Sequence, residues 1–346
     1  MNLKLVAIDL AKRSFQLCGI STVGKVLFNH KLSRAQLLKR LTELPPTKVA
    51  MEACGTAHDW GRKLEAMGHT VVLIPPQHVK AFRRVHKSDA HDALAIAEAA
   101  QRPELHPVPV KSLAQQDLPI LGRAREQLIS QRTAVVNQLR GMAGEYGVEF
   151  PPSLYALRLA APAIVADDQT PLTVVAREVL HGLLDQLREL DARVARLTQS
   201  LAALAKTHPA YSRLLTIPGF GPMVSAAFLA SVGNGQQFKS GRHLAAWLGL
   251  VPRQHGTGGH VQLHGITKKG DRSLRTLLIH GARAVARWAA QHTHAQSRWL
   301  LQLQARRGKN RTVVALANKL ARVAWAVLRT DTDFIRERAF KPLRAA

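Results

Sequence analysis

The first hundred residues alternate between short apolar runs and segments whose leucines recur at helical spacing. Three apolar runs come first, separated by short polar turns, which predicts three consecutive strands. Helical and strand patterns then alternate, with Gly68 and Pro75-Pro76 at the breaks. Strands are predicted over residues 3–10, 15–20, 25–31, 48–53 and 69–74, and helices over 33–44, 58–67, 79–84 and 89–100. This order predicts a mixed α/β sheet with helices on its faces.

The middle of the chain has the pattern of two long helices. Four apolar residues recur every seven positions: Leu121, Leu128, Val135 and Met142. A second apolar run keeps an unbroken spacing of three and four from residue 180 to residue 204, which is typical of a coiled coil. Prolines break the segment between the two runs, and Thr170 is expected to cap the second helix with Pro171 at its first position. We expect an antiparallel hairpin, or half of an intermolecular bundle.

A glycine-rich turn opens the C-terminal third. The segment Ile217-Pro218-Gly219-Phe220-Gly221-Pro222 leads into an apolar helix and resembles a helix-hairpin-helix clamp on a nucleic-acid backbone. In such a clamp, Gly219 and Gly221 would let backbone N–H groups approach a phosphate, and the next helix would offer its positive end. The alternative is a plain turn between packed helices.

Charge narrows the class of partner. The chain has 49 Lys and Arg against 23 Asp and Glu, a formal net charge of +26, which indicates a polyanionic partner, with nucleic acid as the default. No apolar run approaches the length of a membrane span, and the N-terminus lacks the pattern of a signal peptide. Cys18 and Cys54 lie in apolar, strand-like runs and are expected to be buried, reduced thiols, so we expect a cytoplasmic protein with no membrane partner.

Acidic residues are scarce, and two of them stand three positions apart at a predicted helix start. Ser88 is a suitable N-cap, and Asp89 and Asp92 would share one helix face. Two aligned carboxylates in a very basic chain indicate a divalent metal site held against a polyanion. Taken singly, each also fits the ordinary preference for acids in a first helical turn.

The order of strands and helices resembles the ribonuclease-H-like fold of the RuvC resolvases and many transposases. The resemblance implies that acids on the first strand, the fourth strand and the last helix converge; these would be Asp9, Glu52, Asp89 and Asp92. Carboxylate oxygens suit Mg²⁺ (or Mn²⁺), which phosphodiester cleavage needs to activate a nucleophile and stabilise a leaving oxygen. Asp9 alone would fit a strand-end turn, but the four residues together favour the metal site.

A second motif is more specific. It consists of Trp247-Leu248-Gly249-Leu250-Val251-Pro252-Arg253-Gln254-His255, a Gly-rich turn with a hydroxyl, and Gly265-Ile266-Thr267-Lys268-Lys269-Gly270-Asp271. It resembles the C-terminal transposase domain of the IS110 insertion-sequence family, and the helix pattern over residues 275–285 suggests the IS1111 branch. The acidic quartet, the coiled coil and the glycine hairpin match in order, so the resemblance covers nearly the whole chain.

The resemblance implies an RNA-guided DNA recombinase. Such enzymes pair a RuvC-like metal site with a serine nucleophile, which attacks a phosphodiester and holds the DNA end covalently in a site completed between subunits. A non-coding guide RNA would pair with donor and target DNA, and the protein would work as a homodimer or homotetramer. Here the nucleophile position holds Thr257, between Gly256 and Gly258. Because its β-branch crowds the attacking oxygen, we expect either a threonine nucleophile or an impaired enzyme, while Ser240 and Ser273 lie outside the matching position.

Basic side chains near these motifs are expected to face phosphates, although a solvated basic face is the ordinary alternative for each. They are Arg253, Lys268, Lys269, Arg272, Arg275, Arg306, Arg307, Lys309 and Arg311. Three nearby histidines, His255, His260 and His264, have no cysteine or carboxylate to complete a tetrahedral zinc site, so zinc is not expected.

The expected organisation has three parts. A RuvC-like α/β domain would cover residues 1–112, an antiparallel coiled-coil linker 113–206, and a mostly helical transposase domain with the helix-hairpin-helix-like motif 207–346. Two alternatives stay open: a RuvC-like structure-specific nuclease that uses water without a covalent step, and a non-catalytic nucleic-acid-binding relic.

Overall fold

A computed structural model describes residues 2–83, 88–103, 105 and 107–340. The chain forms two compact units, one of residues 1–115 with 236–239 and one of residues 116–235 with 240–346. The helix expected over 79–84 is only partly correct, because a short helix spans Pro76–Lys80 and residues 81–83 are not helical. Residue 84 and the part of the expected C-terminal region after residue 340 lie outside the described ranges. The division into three parts stays a prediction.

A five-stranded mixed sheet forms the centre of the first unit. Its strand order is β3-β2-β1-β4-β5, with β1, β2 and β3 antiparallel in sequence and β4 and β5 parallel to β1. The strands are β1 (Leu3–Leu10), β2 (Ser14–Ser21), β3 (Val26–Ser33), β4 (Lys48–Glu52) and β5 (Thr70–Ile74). The prediction of a mixed α/β sheet from three consecutive strands followed by alternating helices and strands is confirmed.

The sheet has a hydrophobic core on each face because successive strand residues point to opposite sides. The helices of this unit are α1 (Arg34–Thr42), α2 (Ala57–Ala66), α3 (Pro76–Lys80) and α4 (Asp89–Ala100). On one face Cys18 packs with Ile96 of α4, and on the other Ile8 packs with Trp60 of α2. Cys18 is buried, Cys54 is half-buried, and both are free thiols.

The second unit is mostly helical and contains one β-hairpin. Its elements are α5 (Leu113–Gly144), α6 (Leu154–Ala166), α7 (Val174–Lys206), α8 (Tyr211–Leu215), α9 (Pro222–Val232), α10 (Gly241–Trp247), β6 (Pro252–Thr257), β7 (His260–Ile266), α11 (Arg272–Arg287), α12 (Ala295–Arg307), α13 (Lys309–Thr330) and α14 (Arg336–Ala339). None of the helices in the described ranges combines the length and apolar character needed to cross a bilayer.

The middle region contains the two long helices and one further helix that the pattern did not predict. This extra helix, α6, includes Pro162 and packs Leu157 against the leucine seam of α7. Several residues of that seam are therefore covered within the chain itself. The expected cap at Thr170 is wrong: α7 begins three residues later than expected, at Val174, and the Thr173 hydroxyl accepts a hydrogen bond from Ala176 N at 3.2 Å.

Two glycines bring the turn before α9 into backbone contact with α11. Gly219 has φ +89, a left-handed conformation that favours glycine, and its backbone meets that of Gly281. A Cβ on Gly281 would overlap the carbonyl oxygen of Gly219. Packing against α11 therefore explains why position 219 is a glycine. Gly221 is exposed and is the N-cap of α9.

This contact predicts opposite effects for two helical glycines. Gly281→Ala should destabilise the chain by about 1–3 kcal/mol or more, because the new methyl group overlaps backbone that cannot move freely. Gly182→Ala in α7, where a Cβ would meet open space, should instead stabilise by about 0.5–1 kcal/mol through helix propensity.

Urea unfolding followed by far-ultraviolet circular dichroism would measure both variants beside the parent chain. If Gly281→Ala were as stable as Gly182→Ala, the close approach of α11 to the turn would be wrong.

Candidate active site

Acidic side chains from two neighbouring strands lie at one edge of the sheet. Asp9 is the second-last residue of β1, and Glu52 is the last residue of β4. The two strands are parallel and Ile8 lies opposite Met51, so the next residue of each strand, Asp9 in β1 and Glu52 in β4, lies at the same edge of the sheet. The backbone pairing therefore fixes Asp9 and Glu52 as near neighbours, as the fold resemblance implied.

The first turn of α4 brings two more acids to this edge. The Ser88 hydroxyl caps α4 by accepting a hydrogen bond from His91 N at 3.3 Å. Asp92 is 9% exposed and Asp89 is exposed, with Lys31 Nζ 3.8 Å from its Oδ2. The expectation that both acids begin this helix agrees with the structure, but one faces the interior and the other the solvent.

A polar chain holds the start of α4 against the sheet. Gln16, the register partner of Asp9 on β2, donates from Nε2 to Asn29 Oδ1 at 2.7 Å. Asn29 in turn donates from Nδ2 to the carbonyl oxygen of Ala90 at 3.1 Å. Gln16 is buried, so this pair satisfies polar groups inside the fold while setting the position of the helix turn that carries the acids. Sequence patterns gave no signal for it.

One arginine bridges two of the acids. Arg83 Nη2 lies 2.9 Å from Glu52 Oε2, and Arg83 Nε lies 3.2 Å from Asp92 Oδ1. A guanidinium has several donors in a fixed plane and can satisfy two carboxylates at once. Arg83 therefore supplies positive charge where the sequence predicts a cation. It was missed because nothing in the sequence distinguishes it from the other basic residues.

The electrostatic coupling of the four acids appears in the pKa of Asp9. The pKa of Asp9 is raised from 3.8 to about 6, first by burial and then by the charges of Asp92, Asp89 and Glu52, while the charge of Arg83 opposes the rise. The four acids therefore share one electrostatic environment.

The donor set suits a hard divalent cation in chemistry, because all its members are carboxylates at one edge. In the arrangement described, however, no three Asp, Glu, His or Cys side chains of the described residues are close enough to hold a metal together. Arg83 lies between two of the expected ligands instead. Metal binding at this edge would require the carboxylates to draw inward and Arg83 to leave them.

Thr257 occupies the end of an exposed hairpin. It is the last residue of β6 and pairs with His260, the first residue of β7. Gly258 and Gly259 form the connection with φ +56 and +81, as a two-residue type I′ turn requires. Every residue of β6 is exposed, including Thr257.

The two segments of the C-terminal motif, residues 247–255 and 265–271, meet at the base of this hairpin. Thr267 N donates to Val251 O at 2.9 Å, and Lys268 N donates to Gly249 O at 3.1 Å. Gly270 lies so close to the carbonyl oxygen of Trp247 that a Cβ would overlap it. The glycines of the motif thus bring two backbone segments into contact, which fixes the root from which β6 and β7 extend.

The expected basic residues differ in their surroundings. Arg275 is buried, and its Nη1 donates to Leu248 O at 3.0 Å and Lys269 O at 2.7 Å, so it supports the hairpin root rather than facing solvent as expected. Asp271 caps α11 by accepting from Leu274 N at 3.0 Å. The remaining basic residues are exposed: Arg253, Lys268, Lys269, Arg272, Arg306, Arg307, Lys309 and Arg311.

Comparisons with known proteins agree over nearly the whole chain. A family model described as "Transposase IS116/IS110/IS902 family" matches residues 211–298, and a second transposase model, named for DEDD enzymes of IS110, matches residues 6–147. The chain is 47% identical to a probable family 20 transposase of Pseudomonas aeruginosa, over 96% of this chain and 99% of that one.

Two relatives are named after their insertion sequences. The transposase for insertion sequence element IS1111A of Coxiella burnetii is 42% identical over 94% of this chain and 90% of its own length. The transposase for insertion sequence element IS1328 of Yersinia enterocolitica is 35% identical over 96% of this chain and 99% of its own length.

The mixed sheet, the acidic edge and these relatives together define a DNA transposase of an insertion sequence. The chain belongs to the IS110 family of transposases, as the C-terminal motif indicates. Its substrate is therefore DNA, and strand cleavage and transfer are the reactions of its class.

The burial of Asp9 and the three carboxylate charges around it predict that removing its negative charge stabilises the fold, by an amount that depends on pH. Folding raises the Asp9 pKa, so between about pH 4 and pH 6 the folded chain keeps a proton that the unfolded chain has lost, and stability falls as pH rises through this window. The full shift corresponds to about 3 kcal/mol, but partial exposure screens it. In chelator-treated buffer, Asp9→Asn should stabilise the chain by about 1 kcal/mol near neutral pH.

Denaturant unfolding across pH would measure this difference, which should vanish below about pH 4. Asp168→Asn, at an exposed aspartate of the second unit, is the control and should change stability by less than about 0.5 kcal/mol at every pH. A destabilised Asp9→Asn near neutral pH would contradict the assigned repulsion.

Proposed function

We propose that this transposase is an RNA-guided DNA recombinase that cleaves and rejoins strands with a divalent metal and a Thr257 nucleophile. The metal ligands would be Asp9, Glu52, Asp89 and Asp92. The observation that carries the proposal is that acids from three separate chain segments meet at one sheet edge in a chain of net charge +26. Such crowding of scarce acids opposes stability and is typical of functional sites.

The sheet topology supports a ribonuclease-H-like first unit. In that fold, three antiparallel strands are followed by two strands parallel to the first, with the first strand in the middle. The order β3-β2-β1-β4-β5 and the observed strand directions agree with this arrangement. The acids then lie on the first strand, the fourth strand and α4, the last helix before the long helix α5, which agrees with what the resemblance implies.

Mg²⁺ or Mn²⁺ is the proposed cofactor because the ligands are carboxylate oxygens. When bound, the ion would supply positive charge that stabilises the developing charge on a phosphodiester. The contribution of the chain is to hold the acids: β1 and β4 fix Asp9 and Glu52, and the capped turn of α4 fixes Asp92. Arg83 holds Glu52 and Asp92 in place while no metal is bound.

Thr257 is the proposed nucleophile. Its Oγ1 would form a new ester bond to the phosphorus of the DNA backbone, its proton would pass to solvent, and the phosphorus–oxygen bond to the leaving sugar would break. The sugar oxygen would take up a proton and leave as a hydroxyl. Attack by the hydroxyl of a second strand would reverse these changes. Because the ester to Thr257 replaces the broken phosphodiester bond, the strands would be rejoined without another source of energy. The exposed strand end and the flanking glycines support access to Oγ1 despite the β-branch.

A guide RNA and a homodimer or homotetramer complete the proposal. Broad positive charge supports backbone contacts that are independent of base sequence, and this leaves sequence recognition to base pairing with the RNA. The exposed basic residues around the hairpin support such contacts.

A covalent-adduct assay tests the nucleophile. The full chain is mixed with Mg²⁺, RNA transcribed from the end of the element and labelled junction DNA, then denatured and examined for label on protein. We expect an adduct with the parent chain and with Thr257→Ser, and none with Thr257→Ala, because only a hydroxyl can form the ester.

Three other results would point elsewhere. An adduct that persists in Thr257→Ala but disappears in Ser240→Ala or Ser273→Ala would assign the nucleophile to that serine instead. Cleaved DNA without an adduct would favour the nuclease that uses water. Neither cleavage nor adduct, with RNA binding demonstrated, would favour a non-catalytic binding protein.

Metal binding tests the acidic edge without relying on activity. Arg83→Gln should strengthen Mn²⁺ binding by about three- to tenfold, because it removes a cation that competes for Glu52 and Asp92. Asp92→Asn should abolish binding. Calorimetric titration would measure both, with Arg40→Gln on α1 as a control for loss of one positive charge. Weaker Mn²⁺ binding by Arg83→Gln would contradict the competition.

A further inference from the structure

A groove in the second unit is lined by cations and apolar side chains. It lies among β6, β7, α12 and α13 and has a volume of about 960 Å³. Its cations are Arg307, Arg311, Lys319 and Arg322, and no carboxylate of the described residues lines it. Four like charges without a counter-charge favour a negatively charged occupant.

Two of these cations are partly withdrawn from water. The Lys319 ammonium lies 4.8 Å from the centre of the Trp299 ring and 4.6 Å from that of Phe340. Burial, and then the charge of Arg322, lower the Lys319 pKa, and burial followed by the charge of Arg242 lowers that of Arg322.

Neither of these two cations has an acidic partner within the described chain. Half-buried cations without counter-charge destabilise a fold, and an external anion would relieve that cost.

The apolar side chains of the groove indicate an anion that also has apolar surface. Leu250, Leu303 and the 67%-exposed Leu263 line the same groove as the cations. A duplex presents its phosphates outward and stacks its bases inside, so its base faces cannot contact the apolar side chains of the groove. An unpaired strand exposes phosphates and base faces together, so a groove that combines cations with apolar side chains offers contacts to both parts of the strand.

We propose that this groove binds an unpaired segment of the DNA strand that Thr257 attacks, with phosphates on Arg311 and Arg322 and bases against Leu263. Pro252 lines the groove and Thr257 ends the same strand, so about 17 Å of β6 separates them. This length corresponds to about five stacked nucleotides. The identity of the strand rests on the proposed function, whereas the groove itself does not.

The test is equilibrium binding of short labelled oligonucleotides to the full chain, measured by fluorescence anisotropy. A Thr257→Ala background and a chelator prevent cleavage and covalent capture. Single-stranded DNA, the same sequence as duplex DNA, and single-stranded RNA are compared for Arg322→Gln and Leu263→Asp. Arg329→Gln is the matched control, because it removes an exposed arginine of the same helix, α13, that does not line the groove.

Arg322→Gln and Leu263→Asp should each weaken single-stranded DNA binding about five- to tenfold and leave duplex binding within about twofold. Arg322→Gln should also reduce the slope of log affinity against log salt by about 0.7 for the single strand. Arg329→Gln should change neither quantity beyond experimental error. Because Leu263 is exposed, Leu263→Asp should keep the fold and thus tests the groove even if Arg322→Gln is unstable.

Equal losses on duplex and single-stranded DNA would overturn the proposal, since they would show general attraction to the positive surface. Losses on RNA alone would overturn it as well and would assign the groove to the guide. If single-stranded DNA binds as expected but no adduct forms in the parent chain, the groove stands and the threonine nucleophile fails.

Discussion

The burial of Asp9 beside three other carboxylates is the constraint on which the candidate active site of the first unit depends. Pairing of β1 with β4 fixes Asp9 beside Glu52, and the capped start of α4 adds Asp92. Tightly packed cores on both faces of the sheet prevent the backbone from moving to separate these charges. The guanidinium of Arg83 contacts Glu52 and Asp92 and offsets part of this unfavourable charge, while burial and then the neighbouring carboxylates raise the pKa of Asp9.

The helices and strands of the core could be predicted because their apolar residues recur at regular spacing in the sequence. The strands of the sheet have apolar runs and α4 has a good cap, so Asp89 and Asp92 were placed correctly at a helix start. The strands β6 and β7 were not found in this way, since both are exposed, β6 has no apolar alternation, and the alternation in β7 is limited to Val261 and Leu263. The extra helix α6 was missed because Pro162 suggested a break, which packing against α7 overrides.

Contacts between residues distant in sequence explain why the candidate site was only partly predicted. Arg83 and Arg275 are indistinguishable from other arginines in sequence, yet one bridges two acids and the other is buried against backbone carbonyls. Gln16 and Asn29 became significant only when three elements met at the start of α4. In a chain with 49 basic residues, composition predicts the partner but does not assign the role of any one side chain.

In the hairpin that carries Thr257, the residues on which folding depends differ from the residue proposed for the chemistry. Its root depends on close backbone contacts at Gly249 and Gly270, whereas its tip contributes little to the hydrophobic core. Mutations at the root are therefore constrained by stability, whereas at the tip stability constrains Gly258 and Gly259, whose positive φ favours glycine, more than it constrains Thr257. A lineage could exchange serine for threonine at the tip in a single step without passing through an unfolded intermediate, so the hydroxyl residue can diverge among relatives that keep the surrounding glycines.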